Sequence, residues 1–151
     1  MKRETTGWIA AATLLAAGPA MANSLVTGLG AKLAASPVNA VGACPQTITF
    51  NGYVAIDAGQ WDPGQPALMA VQFQRSDGAM APVTYFAVSA PGKHSVSDTW
   101  MLGGASLPSY SGWEQIMTWQ VTPGTLPYTF SNKATFHVQC RVRREGLSPR
   151  P

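Results

Sequence analysis

The chain has 151 residues, enough for one domain around one core. Hydrophobic residues make up 46% and charged residues only 11%, which excludes a disordered polyelectrolyte and a Glu/Lys-rich coiled coil. The net charge is +3, and fifteen Gly with twelve Pro imply many turns between short elements.

Lys2 and Arg3 precede an apolar run from Trp8 through Ala17, followed by Gly18-Pro19 and then Ala20-Met21-Ala22. A basic start, a short apolar stretch, a helix breaker and small residues before the cut are the parts of a secretory signal. Residues 1–22 are therefore expected to be removed, placing the rest in the periplasm or outside the cell. The run is about half of the roughly 20 residues a membrane-crossing helix needs, so no span is expected. Val41-Gly42-Ala43-Cys44 loosely matches the box before a lipidated cysteine, but residues 23–40 separate it from the apolar run.

After that cut, eight basic and six acidic residues remain, and Arg141, Arg143, Arg144 and Arg150 are four of the eight. Residues 143–151 read as a basic tail. A nucleic-acid binder would spread its cations over a folded face among stacking aromatics, so no nucleic-acid partner is expected.

Residues 23–43 are rich in Ala, Gly and Ser without a clear period, and read as a flexible lead-in. From Cys44 the period becomes two. Thr47 to Phe50 is β-branched and aromatic, Asn51-Gly52 signals a turn, and Tyr53 to Ile56 is a second short strand. Asp57 to Gln65 reads as a loop carrying Trp61. Met69, Val71 and Phe73 alternate with Ala70, Gln72 and Gln74, then Ser76-Asp77-Gly78 turns the chain into a strand over Val83–Val88. Pro91-Gly92 is the next turn, and Val96, Trp100 and Leu102 line one side of the strand that follows. Gly103 to Gly112 reads as a loop, Trp113 to Val121 as an aromatic strand, and Pro123-Gly124 as a turn. In Lys133–Val142, Ala134, Phe136, Val138 and Cys140 share one face and Thr135, His137 and Gln139 the other. About seven short strands with frequent turns predict an antiparallel β-sandwich over residues 44–142.

Cys44 and Cys140 are the only cysteines, and export would place them where disulfides persist. Cys44 shares a strand face with Ile48 and Phe50, and Cys140 shares one with Val138 and Phe136. Two inward cysteines at opposite ends of one core are placed to bond. Closing that 96-residue loop would contribute about 4–5 kcal/mol through lost denatured-state entropy.

Taken together, Cys44-Pro45, Ile48 to Gly52, Phe73 to Ala79, Pro82-Val83, Thr99-Trp100, Ser111 to Trp113, Ser131 to Ala134 and Cys140 resemble small exported bacterial immunoglobulin-like domains. The likeness runs from Cys44 to Arg141 and rests on turn and core signatures. It implies an immunoglobulin-like sandwich with its first and last strands joined by the disulfide, acting by contact. Antibody domains differ, because their disulfide joins the second and sixth strands.

No catalytic constellation emerges. His94 and His137 are the only possible imidazole bases. His94 and Asp98 share a strand face but stand about 13 Å apart at strand rise, and no acid lies near His137 in sequence. Asp57 and Asp62 are too few for a calcium cage, and paired zinc ligands are missing, so neither metal nor cofactor is expected. The remaining candidates are aromatic. Trp61 on its loop, with Tyr110 and Trp113 near another, could stack on a sugar or anchor a protein. The competing reading makes Trp61 a lid over the core and places Trp100, Trp113 and Trp119 inside it. The expected partner is an envelope or extracellular protein, or alternatively a glycan.

Overall fold

The computed structural model describes residues 24–60, 64–122 and 127–141. The leader, Trp61, Asp62, the Pro123-Gly124 turn and residues 142–151 lie outside them. The described residues form nine strands and no helix: β1 (Leu25–Ser36), β2 (Asn39–Gly42), β3 (Gln46–Gln60), β4 (Ala67–Arg75), β5 (Thr84–Val88), β6 (Gly92–Leu102), β7 (Ser109–Thr122), β8 (Thr129–Phe130) and β9 (Ala134–Cys140). One sheet has the order β1-β3-β6. The other runs β2-β9-β7-β4-β5, with β8 beside β7. All pairings are antiparallel except β2 with β9. This is an immunoglobulin-like sandwich: the A, B and E strands face the G, F, C and C′ strands, with the A strand divided between the sheets as β1 and β2.

Residues 23–43, expected as a flexible lead-in, instead supply β1 and β2. Their small side chains show no period, and the order comes from backbone pairing with β3 and β9. The expected turn at Asn51-Gly52 is also absent. There β3 is the middle strand of its sheet, paired with β1 and β6 on its two sides, and this overrides local turn chemistry. A Cβ on Gly52 would collide with the backbone carbonyl oxygen of Lys32 and crowd Leu33 Cα at 3.1 Å, so the close approach of β1 requires glycine. In the same way β3 runs on to Gln60 and β7 begins at Ser109, each inside an expected loop.

The β4–β5 hairpin follows its sequence signals. Gly78 takes a positive φ of 87° and donates its N–H to Arg75 O, while Asp77 Oδ1 accepts from Ala79 N. Inward rows from both sheets meet as one core. Ile48, Phe50, Val54 and Ile56 of β3 face Met69, Val71 and Phe73 of β4, Ile116 of β7 and Phe136 and Val138 of β9.

Cys44 and Cys140 are bonded, with Cα atoms 5.4 Å apart. Cys44 is not on the first strand as expected. It sits in the bend between β2 and β3, where the chain crosses from one sheet to the other, and Cys140 ends β9. Gly103, after β6, has φ 91°, and a Cβ there would lie 2.5 Å from Cys44 Sγ and 2.7 Å from Cys140 Sγ. Replacing Gly103 by alanine combines a strained backbone with an overpacked disulfide. A loss of about 2–4 kcal/mol is expected in urea unfolding.

Candidate functional site

Strand β7 breaks the rule that one face is apolar and the other polar. Its inward row includes Glu114, Ile116, Thr118 and Gln120, all buried. Its outward row includes Trp113, Gln115, Met117 and Trp119, all half-buried. Trp113 and Trp119 are thus on the outer face, correcting their expected place in the core. The strand's abundant apolar residues obscure the fact that its odd positions face out. Trp100 does lie in the core, edge-on to Tyr110 at 5.5 Å and to Phe136 at 5.4 Å.

Each inward polar group of β7 has a structural task, as burial demands. Thr118 Oγ1 donates to Ala70 O on β4 at 2.8 Å. Gln120 reaches across the interior: its Oε1 accepts Val26 N–H at 3.2 Å and its Nε2 donates to Ser24 O at 2.8 Å. Near the β8–β9 joint, Asn132 does the same farther along β1. Its Oδ1 accepts Leu33 N–H at 3.1 Å and its Nδ2 donates to Leu33 O at 2.8 Å. Two side-chain amides thereby occupy the outer edge of β1, tying it to the opposite sheet.

Glu114 is fully buried and joins a charged group spanning the sheets. Arg75 Nε bonds Glu114 Oε2 at 3.3 Å, and its Nη2 bonds Asp98 Oδ2 at 3.0 Å and Thr99 O at 3.2 Å. The guanidinium also lies 4.9 Å from the Trp100 ring centroid. Among the described residues, Glu114 Oε1 has no hydrogen-bond partner. Burial first, then the negative charge of Asp98, push the Glu114 carboxyl up from 4.5 to about 7, against the pull of Arg75.

The opposite edge of this sheet, on β6, is treated differently. Only Thr99 is covered: its N–H donates to Asp98 Oδ1 at 2.8 Å and its carbonyl accepts from Arg75. Both groups therefore point away from β3. By two-residue alternation in the unbroken β3–β6 register, the N–H and C=O groups of Lys93, Ser95 and Ser97 also point outward. No hydrogen bond to these groups is made among the described residues. The side chains flanking them are exposed, and Lys93 lies back over Tyr53, 4.6 Å from its ring centroid. The other free edges, β2 and β5, are only four and five residues long.

The structure separates the aromatics expected to act together. Tyr110 points inward, against Trp100 and Phe136, with its hydroxyl 3.1 Å from Ser76 Oγ. Trp113, three residues on, faces outward beneath Lys133 Nζ at 4.1 Å. Their odd spacing puts them on opposite faces of one strand. His94 packs on Phe86 at 5.9 Å, with a buried Nε2 that has no partner among the described residues, and Asp98 on the same row is engaged by Arg75. His137 Nδ1 lies 2.7 Å from Ser111 Oγ, a cross-strand pair that sequence spacing did not suggest. Among the described residues no carboxylate bonds His137, and no group of three His, Cys, Asp or Glu side chains could hold a metal ion.

No protein-family model and no curated protein matches the sequence. Among solved structures, it is similar to the CARDB domain of the PF1109 protein from Pyrococcus furiosus, determined in complex with di-metal ions. The two are 11% identical, with 75% of this chain and 92% of that one covered, at a TM-score of 0.47. Among the described residues, no helix is long and apolar enough to cross a membrane.

Glu114 sets a direction for pH dependence. Between pH 4.5 and about 7 the folded chain holds a proton that the unfolded chain has released. Its contribution to stability is therefore full below pH 4.5, falls as pH rises through this window, and levels off above it. Chemical denaturation across pH 4–8 should show this decline, and Glu114→Gln should flatten it.

Proposed function

We propose that this protein is an exported, non-catalytic immunoglobulin-like module that binds a protein partner by strand addition at β6. The observation that carries this reading is the contrast between the sheet's two edges. Gln120 and Asn132 pin β1 to the opposite sheet at Ser24–Val26 and at Leu33, and the side chains of Leu29, Ala31 and Ala35 pack against the core, whereas β6 leaves the backbone of Lys93–Ser97 open and flanks it with small exposed serines. Natural sheets cover or blunt long edges, so the less guarded of the two is a place for another chain to pair. The Cys44–Cys140 bond and the leader-like first 22 residues support export. A partner entering here would add a strand to the three-stranded sheet and gain main-chain hydrogen bonds in both directions.

A Ser95→Pro/Ser97→Pro double variant removes two outward N–H groups without touching the β3–β6 ladder. Envelope proteins that the wild type captures should be lost from this variant, with melting temperature nearly unchanged. Equal capture by a variant that stays folded would rule out the β6 edge as the contact.

A further inference from the structure

We propose that the outer face of the larger sheet, centred on Tyr85, Trp119 and Tyr128, binds a neutral, extended β-linked polysaccharide. This site lies on the opposite sheet from the β6 edge and stands independently of it. Tyr85 on β5 and Trp119 on β7 both pair with Ala70 of β4, so all three side chains share the outer face. Ala70 is fully buried although it faces out, so the neighbouring side chains close over it. Tyr128 meets Trp119 edge-on, with ring centroids 5.3 Å apart. Phe130 stands beside Met117 in the adjoining row. Tyr85, Tyr128 and Phe130 are 59%, 60% and 51% exposed, values uncommon for large rings without a ligand to cover them.

The charge and the spare hydrogen-bonding capacity of this face select the occupant. The outward positions of β4, β5 and β7 and the β8 row carry no acidic or basic side chain. Lys133, held over Trp113 toward one side of the face, is a single cation, too little for a nucleic acid or an anionic lipid surface. The face does offer ring surface and amide oxygens. Gln72 spends its Nε2 on Ala81 O, and Gln115 spends its own on Gln74 Oε1. Among the described residues, Gln72 and Gln115 each keep an unspent Oε1 acceptor and a second amide N–H, and the exposed Tyr85 and Tyr128 hydroxyls can donate or accept. Their complement is an uncharged ligand rich in hydroxyls, which do both, with flat C–H faces for the rings. Tyr85 and Trp119 stand two strand spacings apart, about 10 Å, which suits a flat chain laid across the strands better than a coiled one.

Native affinity electrophoresis of the full chain in gels holding hydroxyethylcellulose tests this, with glycogen and polygalacturonate gels as coiled and anionic controls. Retardation is expected in hydroxyethylcellulose alone. Trp119→Ala should weaken it about tenfold or more, and Tyr85→Ala several-fold. Tyr85 is exposed, so its variant keeps the wild-type melting temperature and remains informative if Trp119→Ala unfolds. The Ser95→Pro/Ser97→Pro variant should be retarded like the wild type. Absence of retardation in hydroxyethylcellulose, or equal retardation of the Tyr85 and Trp119 variants, would overturn the proposal. So would loss of a captured protein, rather than of polysaccharide, on Trp119→Ala, since the face would then be a protein contact.

Discussion

A central strand that turns Glu114, Thr118 and Gln120 toward the interior must find a partner for each, because an unpaired polar group there costs several kcal/mol. Much of the architecture answers that demand. Thr118 is satisfied within its own sheet, Gln120 by the start of β1, and Glu114 in part by Arg75. The same orientation forces Trp113, Met117 and Trp119 outward. One register choice on β7 thus determines how β1 is held, where the buried charges lie and which rings meet solvent.

The two outer edges of the smaller sheet follow from this. Gln120 and Asn132 act as surrogate strands for β1, each offering an amide where a backbone neighbour would otherwise pair. On β6 the Arg75–Asp98 pair serves the same end at Thr99 alone. Arg75 serves both at once, its Nε on the buried Glu114 and its Nη2 on Asp98 and the Thr99 carbonyl, so one guanidinium links the buried acid to the cover over the β6 edge.

Features dictated by local pattern were legible in the sequence. The alternation around Cys140 and Phe136 is confined to one strand, and the Ser76-Asp77-Gly78 turn makes its own hydrogen bonds. Features dictated by partners were not. The Ala- and Gly-rich stretch before Cys44 is ordered by pairing with β3 and β9, and Asn51-Gly52 is held extended between two neighbours. Trp119 could not be placed by composition, because a strand that mixes polar and aromatic residues on both parities reads the same with either face inward. Ser111 meets His137 only through the β7–β9 register. Trp61, the loop aromatic of the sequence reading, lies outside the described residues.

The position of the disulfide has a mechanical meaning. A load pulling on the two ends of the chain reaches Cys44 from one side and Cys140 from the other, and there it passes through a covalent link. Everything between them, including the β6 edge and the aromatic face, is bypassed by the tension and keeps its shape while the domain is stretched. On the N-terminal side the load meets β1 first, through its antiparallel ladder with β3, and only then β2, whose parallel hydrogen bonds to β9 bear it in shear.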